Sequence, residues 1–181
     1  MGTNQYLIVG GGMAADAAAR GILETDGSAG VKIIGSETDP PYDRPPLSKG
    51  LWTGTAVEKI WRNTRETGVE LVLGRTVQSL APGDKTVLDD QGEEHGYDKL
   101  LLATGAKPRR LDFESDNIVY YRTVADYRAV RQRIQDGGSA IVLGGGFIGA
   151  EIAAALNMND VHVTMVFPEI GINARMFPKV L

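Results

Sequence analysis

Short apolar runs alternate with alanine-rich segments at two places in the chain. Continuous apolar runs are typical of strands buried on both faces of a parallel sheet, and alanine-rich segments favour helices. The pattern therefore predicts two strand–helix–strand units, which are typical of an α/β fold with parallel sheets. The segments are, in order, Leu7–Val9, Met13–Leu23 and Val31–Ile34 in the first unit, and Ala140–Leu143, Phe147–Leu156 and Val161–Val166 in the second.

The stretch between the two units has a different pattern. A proline-rich segment begins at Asp39, and Pro45 and Pro46 predict the start of a short helix over Leu47–Trp52. A β-rich stretch follows, and a further helix is predicted over Ala125–Ile134. The strands predicted in the β-rich stretch are Val69–Leu73, Thr76–Leu80, Thr86–Leu88 and Lys99–Ala103.

Composition excludes several classes of function. The 181 residues carry a formal net charge of −4, which argues against a nucleic-acid-binding surface. The chain has no cysteine, so thiol redox chemistry, disulfides and cysteine-ligated metals are excluded within it, and no metal site is predicted. No run of eighteen apolar residues is present, so no membrane span is predicted. The N-terminus does not resemble a secretory signal, and we expect a cytoplasmic protein.

The first glycine-rich turn matches the dinucleotide-binding fingerprint in its G-x-G-x-x-A form. Such a turn needs one glycine for the tight bend, a second for close approach of a pyrophosphate, and a small residue for helix–strand packing. The pyrophosphate then lies at the helix N-terminus. Glu37 lies 22 residues beyond Ala15 and fits the acid that binds a ribose hydroxyl. The cofactor-binding residues predicted at the turn are Gly10, Gly12, Met13, Ala14 and Ala15.

The second glycine-rich turn is a complete G-x-G-x-x-G fingerprint between a predicted strand and helix. Its residues predicted to bind a dinucleotide are Gly144, Gly146, Phe147, Ile148 and Gly149. Phe167 occupies the position expected for the ribose-binding acid, and Glu169 follows two residues later. Glu169 either takes the ribose role or is a solvated surface acid, and the spacing favours the first. No Arg or Lys adjoins Phe167, so NAD is predicted over NADP.

Two dinucleotide sites in one chain indicate two dinucleotides that react with each other. A nicotinamide and a flavin form the natural pair, because hydride exchange is redox chemistry that protein side chains cannot perform.

Three further segments carry a family resemblance: Arg44–Trp52 (RPPLSKGLW), Leu101–Arg109 (LLATGAKPR) and Gly144–Glu151 (GGGFIGAE). Together they resemble the pyridine nucleotide-disulfide oxidoreductase superfamily, in its branch of ferredoxin, rubredoxin and putidaredoxin reductases and apoptosis-inducing factor. The segment Val166–Glu169 looks most like apoptosis-inducing factor. The resemblance implies a Rossmann-like FAD-binding domain over residues 1–110 and an incomplete Rossmann-like NAD-binding domain over residues 111–181.

The resemblance also implies roles for single residues. The first fingerprint would bind FAD and the second NAD(H). Lys49 and Glu151 would form an ion pair beside the flavin, where a cation stabilises the negative charge that arrives with a hydride. Lys49 could be a surface lysine, but its place in a rigid, proline-led turn favours the functional role. From the sequence alone, Glu151 could equally be an acid favoured by the helix dipole. The other implied FAD contacts are Arg44, Val77, Ala103, Thr104 and Gly105.

These features predict a flavin-dependent NADH oxidoreductase that passes electrons to a separate acceptor, such as a ferredoxin, a rubredoxin, oxygen or a quinone. We expect activity only together with the missing C-terminal part. The alternative is an NADH-sensing interaction protein with slow turnover. Because the second fingerprint is followed by only one strand, its sheet would expose an apolar face and open edges. We therefore expect the rest of both domains and a C-terminal interface domain to come from a longer chain or a complementary polypeptide, and the complete assembly to be a homo-oligomer.

Overall fold

The computed structural model describes residues 4–174 and 176–177, and the chain divides into two compact units. The first unit contains the residues up to Asp43 together with Ile60–Ala106. The second contains Arg44–Lys59 and the residues from Lys107 onward. The proline-rich segment is therefore divided between the units, with residues 39–43 in the first and the residues from Arg44 in the second. The predicted domain boundary near residue 110 stays a prediction. The assignment of one cofactor to each domain stays a prediction.

The first unit is built on a six-stranded sheet with strand order β3-β2-β1-β6-β5-β4. Strands β1, β2, β3 and β6 are parallel, and β4, β5 and β6 form an antiparallel meander. The elements are β1 (Asn4–Val9), α1 (Met13–Thr25), β2 (Val31–Gly35), β3 (Glu70–Leu73), β4 (Val77–Ala81), β5 (Thr86–Asp89) and β6 (Glu94–Leu102).

Strand β6 joins the parallel and antiparallel parts of this sheet. Its first residues pair antiparallel with β5, and its remainder pairs parallel with β1, where Leu101 lies opposite Ile8. The strand predicted at Lys99–Ala103 is thus confirmed, but it begins five residues earlier, at Glu94. The early start has a tertiary cause, because β5 supplies a partner for this polar segment.

Alternating side chains of the parallel strands fill two cores. Ile8 and Ile33 face α1 and contact its small residues Ala15 and Ala19. The neighbouring residues Leu7 and Ile34 face the opposite side and pack with Val87 and Tyr97. The alanines of α1 therefore allow the helix to lie close to the sheet.

The second unit contains a two-stranded parallel sheet and two helices. The predicted helix at residues 47–52 is instead two short 3₁₀ turns, Pro45–Ser48 and Gly50–Trp52, which meet at Lys49. Thr123 begins α2 with a capping box, in which Thr123 and Asp126 exchange side chain–backbone hydrogen bonds. The elements are α2 (Val124–Arg133), β7 (Gly138–Leu143), α3 (Phe147–Asn157) and β8 (Val161–Val166).

One face of the β7–β8 sheet is exposed and carries a group of apolar side chains. Val142 and Met165 are half-buried, whereas Ile141, Leu143 and Val166 on the alternate positions are 69%, 55% and 50% exposed. Among the described residues, no further strand pairs with either edge. The expected exposed face and open edges are therefore present in this chain. No helix in the described part of the chain is both long and apolar enough to cross a bilayer.

Candidate dinucleotide-binding sites

The first glycine-rich turn can be made only by glycine at its first position. Gly10 has φ +122°, and its N–H donates to the Ile34 carbonyl at 2.7 Å. A Cβ atom at Gly10 would lie 2.1 Å from the Ala103 carbonyl oxygen and 3.1 Å from the Thr104 nitrogen. The structure therefore brings together Gly10, Ala103 and Thr104, three residues predicted to bind FAD. Gly105, which follows them, has φ +68° and is exposed.

Helix α1 begins directly after this turn. Gly12 is its N-cap and offers no side-chain acceptor. The Gly12 carbonyl accepts the N–H groups of Ala15 at 3.1 Å and Asp16 at 3.2 Å. The backbone amides of Met13 and Ala14 therefore lie at the N-terminus of α1. A helix N-terminus favours a phosphate because of its N–H groups and the helix dipole.

Glu37 lies beyond the end of β2, where the ribose-binding acid was predicted. The Tyr42 hydroxyl donates a hydrogen bond to Glu37 Oε2 at 2.5 Å. Tyr42 is buried and meets the edge of Trp61, with ring centroids 5.8 Å apart. Tyr42 therefore contacts a residue that is predicted to bind the cofactor.

Helix α1 is anchored through Asp16, a fully buried residue that sequence reasoning missed. Its carboxylate accepts from Arg20 Nε at 3.0 Å, Arg62 Nε at 2.6 Å and Thr64 Oγ1 at 2.6 Å. Arg62 also pairs with Asp43. Burial raises the pKa of Asp16, but the hydrogen bonds from Arg20, Thr64 and Arg62 outweigh it and hold the pKa below its usual value. The fingerprint helix is therefore tied to residues 62–64 by a buried ionised network.

A second buried network includes His95, which the sequence left without a role. Asp89 Oδ1 accepts the backbone N–H groups of Gln91 and Glu93, each at 2.9 Å. Its Oδ2 accepts Arg75 Nη1 at 2.6 Å and lies 3.1 Å from His95 Nε2. Burial raises the pKa of Asp89, but these hydrogen bonds hold it well below its usual value. Asp89, Glu93 and His95 are close enough to hold a metal ion, but the Arg75 guanidinium already supplies the positive charge. We interpret the cluster as structural.

Val77, the predicted adenine contact, lies at the start of β4 and pairs with Asp89 of β5. The preceding residue, Thr76, donates its N–H to Asp90 Oδ1 at 3.0 Å, and its carbonyl accepts the Asp90 N–H at 2.9 Å. The backbone around Val77 is thus fixed from the β5 side. Its contact with an adenine stays a prediction.

The first glycine of the second turn has a similar positive φ and the same kind of backbone hydrogen bond as Gly10. Gly144 has φ +114°, and its N–H donates to the Val166 carbonyl at 2.9 Å. A Cβ atom at Gly149 would lie 2.1 Å from the Gly144 carbonyl oxygen. Gly146 is the N-cap of α3, and a Cβ atom there would meet open space. The close helix–strand contact and the open approach to the turn are the two requirements of the fingerprint.

Phe167 packs against this turn. A Cβ atom at Gly145 would lie 2.8 Å from the Phe167 ring, so glycine is required to admit the ring. Phe147 and Ile148, in the first turn of α3, are exposed. Glu169 is half-buried in the segment after β8. Its ribose contact stays a prediction.

Lys49 and Glu151, which are 102 residues apart in sequence, meet within the second unit. Lys49 Nζ lies 2.9 Å from Glu151 Oε2. The Ser48 hydroxyl, which the sequence analysis did not single out, donates to the same oxygen at 2.6 Å. Burial raises the pKa of Glu151, but the hydrogen bonds from Ser48 and Lys49 outweigh it and lower the pKa below its usual value. Arg44 Nη1 donates to the Arg122 carbonyl at 3.1 Å, in the same unit. A position beside a flavin stays a prediction for Arg44, Lys49 and Glu151.

The two glycine-rich turns, each between a strand and a helix, define a Rossmann-like nucleotide-binding protein. The family model described as pyridine nucleotide-disulphide oxidoreductase matches residues 4–179. The chain belongs to this family, whose members are FAD-dependent oxidoreductases of NAD(P)H.

Individual relatives cover almost the whole chain. It is 36% identical to apoptosis-inducing factor 1, mitochondrial, of Dictyostelium discoideum, over 98% of this chain and 38% of that protein. It is 39% identical to monodehydroascorbate reductase 4, peroxisomal, of Arabidopsis thaliana, over 97% of this chain and 41% of that protein. A chain in the crystal structure of the covalent putidaredoxin reductase–putidaredoxin complex superposes with TM-score 0.86 and 28% identity, over 98% of this chain and 45% of that chain. The chain thus spans less than half the length of each relative.

Proposed function

We propose that this chain supplies the FAD-binding and NADH-binding parts of a flavin-dependent NADH oxidoreductase. The observation that carries the proposal is the pair of glycine-rich turns, each closed by a contact that a Cβ atom at Gly10 or Gly149 would block at 2.1 Å. Two such turns in one chain favour two dinucleotides, and the family uses FAD and NAD(P)H.

The residues present fit both groups. At the first turn, Gly10 and Gly12 would admit a pyrophosphate to the start of α1, and Glu37 would accept a ribose hydroxyl. At the second, Gly144 and Gly146 would do the same for NADH at the start of α3. Backbone N–H groups would be offered to the phosphates by Met13 and Ala14 at the start of α1, and by Phe147 and Ile148 at the start of α3.

When bound, FAD supplies the hydride-accepting chemistry that protein side chains lack. Lys49 would place a positive charge where negative charge develops, and Glu151 would be the resting partner of that ammonium. The Lys49 side chain is 56% exposed and the Glu151 side chain 27% exposed, so the ammonium is accessible to a bound group.

We propose that the electron acceptor is a separate molecule, and the lack of cysteine in these 181 residues supports this. We propose a small redox protein such as a ferredoxin or rubredoxin. The supporting observation is the similarity to the putidaredoxin reductase–putidaredoxin complex. The similarity to apoptosis-inducing factor favours a second candidate, an NADH-sensing interaction protein with slow turnover. Steady-state turnover with a panel of ferredoxin, rubredoxin, quinone, monodehydroascorbate and oxygen separates the two.

We further propose that a complementary polypeptide, or the remainder of a longer chain, covers the β7–β8 sheet, and that the complete assembly is a homo-oligomer. The exposed side chains of Ile141, Leu143 and Val166 support this, since contiguous apolar faces of this kind mark interaction surfaces. The relatives, at more than twice the matched length, support it as well. Intact mass spectrometry with light scattering tests it, and a stable, flavin-loaded 19.4 kDa monomer would overturn it.

The central experiment is an absorption spectrum of the complete assembly, supplied with FAD, before and after addition of NADH without oxygen. We expect a bound-flavin spectrum that bleaches with NADH, and more slowly with NADPH. Lys49→Ala should slow the bleaching at least tenfold, because one positioned electrostatic donor is worth about 3 kcal/mol. Lys59→Ala, an exposed lysine ten residues away, is the matched control. Failure to bind FAD, or bleaching at the wild-type rate in Lys49→Ala, would contradict the corresponding part of the proposal.

A further inference from the structure

Two donors of different character converge on one oxygen of Glu151. The Ser48 hydroxyl is 2.6 Å from Oε2 and the Lys49 ammonium is 2.9 Å from the same atom. Ser48 is 5% exposed, whereas the Lys49 side chain is 56% exposed. The carboxylate is thus held by one enclosed donor and one that water reaches.

The two donors also differ in freedom. A serine hydroxyl sits one bond from Cβ, whereas the lysine ammonium ends a chain of four methylene groups that loses much rotamer freedom when fixed. A pair that water reaches is screened and contributes little, whereas an enclosed hydrogen bond to a charged group contributes more. The Ser48 bond is therefore the stronger constraint on the carboxylate.

The turn that carries Ser48 is itself held on both sides. The Leu47 carbonyl accepts the Trp52 indole N–H at 2.7 Å and the Tyr121 hydroxyl. The Leu51 carbonyl accepts the Tyr127 hydroxyl at 3.1 Å. These bonds fix the backbone before and after Ser48, so its hydroxyl is delivered to Glu151 from a rigid support.

The other oxygen, Glu151 Oε1, has no hydrogen-bond partner among the residues that the structure describes. In the same part of the chain, the Lys49 ammonium bonds only to Glu151. The ammonium therefore keeps two N–H groups for another acceptor. The arrangement is asymmetric, with a fixed carboxylate and an ammonium that can turn away from it.

We infer that Ser48 is a positioning residue that fixes the Glu151 carboxylate. Because Ser48 keeps its hydrogen bond to Glu151, the Lys49 ammonium can turn toward negative charge on a bound cofactor and still leave the carboxylate with a donor. The cofactor part of this inference rests on the proposed function. The anchoring of Glu151 by Ser48 does not, because all three residues lie within one unit of the chain.

The first arm of the test is a pH titration of the Glu151 carboxyl carbon by ¹³C NMR, with Glu151→Gln to assign the signal. The pKa of Glu151 should rise in Ser48→Ala and rise less in Lys49→Ala. Thr53→Ala is the matched control, because Thr53 is an exposed hydroxyl in the same segment and bonds only the Gly50 carbonyl, at 3.3 Å. Ser48→Cys provides a second variant with similar volume and a weaker donor, should the alanine variant not fold.

The inference would be overturned if the pKa of Glu151 rose as much in Lys49→Ala as in the Ser48 variant, or more. It would also be overturned if the pKa of Glu151 in the Ser48 variant equalled that in Thr53→Ala.

The second arm measures the rate of flavin reduction by NADH across pH. Ser48→Ala should slow flavin reduction about tenfold, the effect of one lost charge-assisted hydrogen bond. The fall of the reduction rate at acidic pH should begin at a higher pH, because the pKa of Glu151 is raised in this variant. If the wild-type protein supplied with FAD is not reduced at all, the proposed function fails, while the titration still decides the role of Ser48.

Discussion

Replacing Asp16 by asparagine removes a charge from a fully enclosed carboxylate while keeping its shape. In the native protein, Asp16 accepts hydrogen bonds from Arg20, Arg62 and Thr64 at 2.6–3.0 Å. Asparagine retains one oxygen acceptor and turns an amide N–H toward a donor. The two arginines, which share Oδ2 in the native protein, therefore lose their hydrogen bonds to a charged group, at about 1.5 kcal/mol each. We expect the free energy of unfolding to fall by about 3 kcal/mol.

This value lies at the lower end of the range of about 3–5 kcal/mol for breaking a buried ion pair. The reason is that the side chains of Arg20 and Arg62 are 39% and 27% exposed and can be rehydrated. Urea unfolding followed by circular dichroism measures the change, and the m value should stay constant.

Glu24→Gln is the matched control for Asp16→Asn. Glu24 is exposed on the same helix, so its replacement should change stability by no more than about 0.5 kcal/mol. An Asp16→Asn protein as stable as Glu24→Gln would refute the reasoning. It would mean that the desolvation of the carboxylate cancels its three hydrogen bonds.

Three further changes probe the first unit. Gly10→Ala should abolish FAD retention in gel filtration, because its Cβ would lie 2.1 Å from the Ala103 carbonyl oxygen at φ +122°; retained FAD would show that the turn can shift. Tyr42→Phe should weaken FAD binding about tenfold in a fluorescence titration, since Glu37 loses the 2.5 Å hydrogen bond that orients it; an unchanged affinity would remove Tyr42 from the site. Asp89 has a lowered pKa in the folded state, so its stabilising effect is present above the unfolded pKa of about 3.9 and is lost as pH falls. Asp89→Asn should therefore flatten the decline of the urea midpoint between about pH 5 and 3, and an unaltered decline would contradict this.

Features with a local sequence signal were predictable. The two glycine-rich turns, helices α1 and α3 and the strands that flank them follow from glycine spacing and apolar runs within about 30 residues. The pairing of Lys49 with Glu151 spans 102 residues, and only the family resemblance suggested it. Ser48 carried no signal of its own, because a serine next to a lysine is common and its partner is set by tertiary structure.

The buried networks escaped prediction for a related reason. Asp16 looks like an ordinary acid in the first turn of a helix, where the dipole already explains it. Its partners Arg62 and Thr64 lie about 46–48 residues away, so their contact depends on how the irregular segment after the proline-rich stretch returns to α1. His95 was likewise assigned no role. The sequence does not show the register in which β5 and β6 pair, and this register sets the neighbours of His95.

The division of the second unit into Arg44–Lys59 and the residues from Lys107 onward has a consequence for synthesis on the ribosome. The Ser48 turn emerges early, but its partner Glu151 is 103 residues further along the chain. At 5–20 residues per second, that separation corresponds to a wait of roughly 5–20 s. During this interval the apolar side chains of Leu47, Leu51 and Trp52, which are buried in the finished unit, have no core to enter. Nascent chains of intermediate length should therefore be the species that chaperones bind and proteases cut. A fragment that starts after residue 106 should also be bound by chaperones and cut by proteases.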